Sequence, residues 1–373
     1  MNTKIDWQTH LSEEVENRKE VIKKFWYNPN GIGRPLLSIR FEDFLPDMSA
    51  QKLMQDDRLD FQYQLKLNND VLRYRSDFVP RLLPYMGSTC IASAFGAKIV
   101  FPDNNQPTCL PVINKPEDAF KIIKPDVYAK DLGRVFEKTE YFLEMTKGQY
   151  PITITDFQSP FDTVHLLWNR DTFFTDLVLY PESIEYLLNV VTDLTIELGI
   201  KLKEMIPNFV PAHCPSFWMP SDAAVTISLD SIVNIGPNMF DRFVRPSLER
   251  ISHAFGGVVV HSCGNWKHHL QKVKTVQGLK GINFGVGEML LEDVLEVFDT
   301  DESNVRIIPH VGLNLPYTYK SNLEFMKHVL DAVKFPERVY MLCWRDDLNP
   351  NTPWIENSYD QMAVFFEKRG YGF

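Results

Sequence analysis

The chain has 373 residues, 44% hydrophobic and 24% charged, which is enough to bury a core in one large domain or two ordinary ones. Its formal charge of -10 argues against nucleic acid or an anionic membrane surface as the main partner. No run of about 18 apolar residues is present, which argues against a membrane span. The opening Met1-Asn2-Thr3-Lys4-Ile5-Asp6 lacks an apolar signal core, and the five cysteines lack a disulfide spacing, so reduced thiols in the cytoplasm are expected.

Residues 1–30 read as a helical extension, and residues 31–373 as one barrel domain. The polar stretch over residues 8–75 is helix and loop, interrupted by a short strand at 34–41 that Gly31-Ile32-Gly33 opens. A further strand is plausible on pattern at 97–101. Asp131 is expected to cap a helix with Leu132, Val135, Phe136, Phe142 and Leu143 near one face, stopped by Gly148. A strand at 152–156 ends in Asp156. Pro181 starts a long helix with Ile184, Leu187, Leu188, Val191, Leu194 and Leu198 at helical spacing. The run at 224–230 ends in Asp230. Strands follow at 257–263, 281–284, 305–310 and 338–343. Ser321-Asn322-Leu323-Glu324 is a capping box, and Thr352-Pro353 is expected to open the last helix.

Strands alternating with helices indicate a parallel sheet. About seven strands, with an eighth at 97–101, favour a (β/α)8 TIM barrel of the α/β class. An open doubly wound sheet is the alternative, but no G-x-G-x-x-G follows an early strand. Asp156, Asp230, His261, Cys263, His310 and Cys343 all fall at or just past strand C-termini, the end where barrel enzymes gather their catalytic groups.

The apolar run Gly257-Val258-Val259-Val260 closes in His261-Ser262-Cys263-Gly264. Residues i and i+2 of a strand share a face, so imidazole and thiol point the same way. Cys343 ends another apolar run about 80 residues later. Three soft ligands so spaced suit an open catalytic zinc site rather than a structural one, which uses close pairs such as C-x2-C. A His-x-Cys pair also occurs by chance, and buried histidine and cysteine are ordinarily core groups. His213 and Cys214 are adjacent, so an extended chain points them apart and they are not expected to share an ion. His268 and His269 are expected to be solvated or partner-facing, and Cys90 and Cys109 to be packing residues. Glu288 is a candidate labile fourth metal ligand or an outer hydrogen-bond acceptor, or else a solvated acid at a helix N-terminus.

At these residues the sequence resembles the uroporphyrinogen decarboxylase superfamily, and within it the zinc-dependent corrinoid methyltransferases. The resemblance runs through Gly33-Arg34-Pro35-Leu36, Asp77-Phe78-Val79-Pro80, Phe95-Gly96-Ala97 and Thr155-Asp156-Phe157-Gln158-Ser159-Pro160-Phe161-Asp162. It continues in Ser228-Leu229-Asp230-Ser231, Val244-Arg245-Pro246, Val260-His261-Ser262-Cys263-Gly264-Asn265 and residues 349–357. It implies a TIM barrel with zinc on His261, Cys263 and Cys343, and Asp230 and Asp156 as residues that orient the acceptor or take a proton. The implied reaction moves a methyl group from a corrinoid, carried as co-substrate on a partner protein, to a thiol or tetrahydrofolate acceptor. It leaves a homodimer open. The arginine-rich segment of true uroporphyrinogen decarboxylases is absent around Arg34–Arg40, which disfavours that reaction. Two alternatives remain: a metal-free lyase on the same barrel, and a non-catalytic corrinoid- or tetrapyrrole-binding protein whose 26 Phe, 14 Tyr and 7 Trp line a pocket. The family's glycine-rich loop is replaced here by Cys343-Trp344-Arg345-Asp346-Asp347-Leu348, which bears on the acceptor pocket.

Overall fold

The computed structural model describes residues 6–40, 49–102, 106–214, 216–311, 319, 321–344 and 358–373. In chain order its strands are β1 Leu36–Arg40, β2 Lys98–Val100, β3 Thr108–Leu110, β4 Ile152–Thr153, β5 Phe209–Val210, β6 Val225–Ser228, β7 Val258–Ser262, β8 Leu279–Gly285, β9 Arg306–His310 and β10 Tyr340–Trp344. Six form one parallel sheet in the order β1-β10-β9-β8-β7-β6.

Backbone hydrogen bonds carry this sheet around into a closed, TIM-barrel-like ring. Asp77 N–H donates to Leu37 O (2.7 Å), Thr153 N–H to Leu82 O (2.8 Å), Ile154 N–H to Val210 O (2.8 Å) and Thr226 N–H to Pro211 O (2.9 Å). The expected strand at 97–101 is not in this ring. It forms β2, which pairs antiparallel with β3. Lys98 is exposed and its two successors only half-buried, which suits a solvated ribbon rather than a wall strand covered on both faces. The wall there is built by Leu82, β4 and β5, stretches too short and too proline-flanked (Pro80, Pro84, Pro207, Pro211) to show a strand period.

Side-chain parity divides the core. Leu37, Ile39, Val258, Val260, Ile282, Phe284, Ile307, Met341 and Cys343 pack in the cluster that includes the surrounding helices. Leu36, Val259, Ile308, Tyr340 and Leu342 pack with one another inside the ring. That inner cluster also takes Val15, Ile22 and Phe25 from the Glu13–Tyr27 helix. Phe25 meets the Tyr340 ring edge-on at 5.9 Å, and Arg306 Nη2 donates to Phe25 O (2.6 Å) and Asn28 O (2.7 Å). Tyr340 and Arg306 are the first residues of their strands, so this helix stops the N-terminal mouth of the barrel. The opposite mouth carries the strand ends on which the chemistry depends.

The long helix Pro181–Met205 and the helix Asn322–Ala332 form as expected, the latter with Ser321 Oγ accepting from Glu324 N–H at 3.1 Å. Asp131 is the first residue of its helix (Asp131–Thr146) rather than the cap, which is Lys130 at φ 52°. The expected helix start at Thr352-Pro353 lies outside the described residues.

Candidate metal centre

His261 is the fourth residue of β7 and shares the inward parity of Val259. The register places it between Ser228 of β6 and Asn283 of β8. Cys263 follows the end of β7, where Gly264 (φ +84°) turns the chain; a side chain there would be strained and would press on Val233. The His261 ring is buried, whereas Cys263 is an exposed residue. Asp230, just past β6, is the third member.

One ligand atom from each of Asp230, His261 and Cys263 lies within 4.8 Å of the others, the only such group of three or more among the described residues. Cys263 Sγ is 3.4 Å from His261 Nε2, and Asp230 Oδ1 is 3.9 Å from that nitrogen. Tetrahedral zinc with Zn–N near 2.05 Å and Zn–S near 2.3 Å separates N and S by about 3.6 Å, and N and O by about 3.4 Å. The three groups fit that ion with small adjustments.

Their supports are specific. Asn283 Nδ2 donates to Ile308 O (2.5 Å), and a carbonyl can only accept, so the amide oxygen must face His261 Nδ1 (2.5 Å). His261 therefore keeps a proton on Nδ1, and Nε2, which faces Cys263 and Asp230, is the nitrogen left for a cation to engage. The other Asn283 N–H points to His310 Nδ1 at 3.2 Å, and the two imidazole rings lie 5.8 Å apart. Asp230 Oδ1 accepts from Cys263 N–H at 2.6 Å. Asp162, buried, accepts from Asp230 N–H (3.0 Å), Ser231 N–H (2.7 Å) and the Ser159 hydroxyl (2.7 Å), fixing the turn that presents Asp230. Burial, then the Asp230 charge, pushes the Asp162 carboxyl up to about 7.

Burial works against charge on His261, but the thiols of Cys214 and Cys263 outweigh it and hold the ring well above the ordinary histidine range. Burial raises the Cys263 thiol, with His261 opposing. A bound cation would replace those protons on ring and sulfur.

The remaining sequence candidates are placed as follows. Glu288 accepts from Gly264 N–H at 2.8 Å, buttressing the turn after Cys263, and it reaches there because Gly285 has no side chain to block it. Asp156 is not a member of the group that Asp230, His261 and Cys263 form; it accepts from Gln158 Nε2 at 2.7 Å, with His213 Nδ1 at 3.6 Å. Cys343 is fully buried and has the parity of Met341, toward the helices; it is not a member of the 4.8 Å group. The expectation that His269 is solvated is corrected: it is buried, with Nε2 2.9 Å from both Ile232 O and Ile235 O, bracing the loop behind Asp230. Cys90 and Cys109 are buried in the core, as expected.

Sequence reasoning assigned no role to Asn283 or Asp162. A polar residue inside the apolar run Gly281-Ile282-Asn283-Phe284 was a signal for the first. Ser159-Pro160-Phe161-Asp162, a helix-start signature whose acid turns toward another loop, was a signal for the second.

Residues 82–210 match the family model described as uroporphyrinogen decarboxylase (URO-D). A solved methyltransferase from Methanosarcina mazei has the same fold, with TM-score 0.66 and 16% sequence identity over 95% of this chain and 99% of that one. No curated protein matches the chain.

Proposed function

We propose that this protein is a zinc-dependent methyltransferase that takes a methyl group from a corrinoid held by a partner protein and delivers it to an acceptor at the C-terminal mouth of the barrel. One observation carries the reading: imidazole, thiol and carboxylate converge at that mouth, the thiol and carboxylate on residues that reach solvent. The fold shared with a methyltransferase supports it. Zinc there would act as a Lewis acid that binds an acceptor thiol as thiolate near neutral pH, or polarises a folate amine.

The chain's own residues do the rest. His261 and Cys263 hold the cation through Nε2 and Sγ, and Asn283 keeps the imidazole in the competent tautomer. Asp230, on the solvent side, orients the acceptor and accepts its proton. Asp156 with His213 forms a second buried polar pair for binding the body of the acceptor. The Glu13–Tyr27 helix stops the opposite mouth, and the corrinoid protein docks over the mouth that carries the site.

The test is zinc content followed by turnover. Protein purified without chelator is expected to hold about one zinc per chain and to demethylate methylcobalamin in the presence of a suitable thiol or tetrahydrofolate. Cys263→Ser is expected to lose both properties. Full turnover by zinc-free protein, or a native protein that takes up no zinc, would overturn the proposal.

A further inference from the structure

Resting on the zinc reading above, we propose that the ends of β4, β5 and β6 carry a subsite for the head of the methyl acceptor. The head it takes is an uncharged ring bearing N–H donors, of the pterin type, rather than the anionic group of an acidic thiol. A row of polar side chains runs round the mouth from the metal centre. Ser228 ends β6 and is paired in register with His261. Val225 and Ile227 of β6 pack in the helix-side cluster, so Ser228 faces the interior of the ring, as His261 does. Gln158 bridges to Ser228 in parallel, and paired residues project to one face. Gln158 Nε2 donates to Asp156 Oδ1 at 2.7 Å, and His213 Nδ1 stands 3.6 Å from that oxygen.

Two atoms of this row are unsatisfied. Ser228 and His213 are 2% and 8% exposed, yet Ser228 Oγ and His213 Nδ1 have no hydrogen-bond partner among the described residues. Native interiors rarely leave such groups unpaired, and a ligand is one way to satisfy them. The backbone N–H of His213 donates to Thr226 Oγ1 (2.9 Å) and its ring stacks on Tyr85 at 6.2 Å and 18°, which hold the imidazole where it is. Its 3.6 Å separation from Asp156 is too long for a hydrogen bond. A single amino group placed about 2.9 Å from each atom can donate to both.

The charge of the row selects the class of head. Asp156 is its one carboxylate, none of its members is a Lys or Arg, and Asp230 and Glu288 beside the metal centre are acids as well. A sulfonate or carboxylate bound here meets like charge. A pterin instead offers adjacent N–H and amino donors to the carboxylate and the imidazole nitrogen, and ring acceptors to the Ser228 hydroxyl. Neighbouring strands are about 4.8 Å apart, so Gln158 lies about 10 Å round the ring from His261. A bicyclic head seated along the row turns its other edge toward the cation.

Calorimetric titration of the full-length protein, zinc-loaded and after chelation, tests this. The probes are pterin, lumazine (an oxygen in place of the exocyclic amino group) and the anionic thiol 2-mercaptoethanesulfonate. Native protein is expected to bind pterin in both states and lumazine at least about 10-fold more weakly, because the groups that met the amino donor are left unpaired. The chelated protein is expected not to bind the sulfonate. Ser228→Ala and His213→Phe should each weaken pterin binding about 10-fold, with zinc content at the native level. Should a variant fold poorly, the comparison of pterin with lumazine on native protein decides alone. Pterin left unbound, lumazine bound as tightly, or the sulfonate bound by chelated protein overturns the inference while leaving a zinc enzyme. A folded Ser228→Ala protein that binds pterin as native does overturns it too. Native protein that discriminates pterin from lumazine but takes up no zinc overturns the functional reading and leaves the pterin site standing.

Discussion

Replacing Asn283 by alanine is expected to weaken zinc binding although Asn283 is not a ligand. Its amide oxygen receives the His261 Nδ1 proton at 2.5 Å, and its amide N–H groups reach Ile308 O at 2.5 Å and His310 Nδ1 at 3.2 Å. Alanine removes all three and leaves the Nδ1–H of a fully buried ring without its partner. The imidazole then becomes free to shift its proton to Nε2, the nitrogen the cation needs. Losing such an outer partner typically costs 10–100-fold in metal affinity, or about 1.4–2.7 kcal/mol. The metal-free protein should lose about 2–4 kcal/mol as well, since each buried hydrogen bond is worth about 1 kcal/mol and its orphaned partners cost more. Chelator competition gives the first quantity, and urea unfolding of the chelated protein gives the second. A folded Asn283→Ala protein, verified by near-ultraviolet circular dichroism, that binds zinc within about threefold of native would refute the tautomer argument.

Two further outcomes test parts of the fold away from the ligands. Lys138, fully buried, donates to Asp60 Oδ2 and to Leu53 O, both at 2.7 Å. Lys138→Met strands a buried carboxylate, so unfolding free energy should drop by about 3–5 kcal/mol with zinc affinity unchanged; a loss under about 1 kcal/mol would show that the pair is solvated. Asp162 titrates near 7 in the fold because of burial and the Asp230 charge, against about 3.9 unfolded. Between those values the native state keeps a proton that the unfolded chain has released. The metal-free protein should therefore lose stability as pH rises across that window, by up to about 1.4 kcal/mol per unit. Asp162→Asn should flatten that slope, and equal slopes in urea melts at several pH values would sink the assignment.

Much of the fold was legible because local patterns carry it. Apolar runs of strand length, ending in polar groups, alternate with amphipathic helices, and that alternation alone implies parallel strands with crossovers. The pairing of His261 with Cys263 was legible for the same reason: a period of two puts both on one face whatever surrounds them. The short wall segments around Leu82 and β5 were not legible. Only two residues of β5 pair, and long-range hydrogen bonds rather than local preference make them strands.

The sequence by itself determined the barrel class, the strand ends and the His-x-Cys pair, since these follow from periodicities of a few residues. Tertiary structure decided which distant groups join them. Closure of the ring brought Asp230 to 3.9 Å from His261 and set Asn283 behind the imidazole. It also directed Cys343 outward, because on a strand covered on both faces a single residue's step in parity separates the barrel interior from the helix layer.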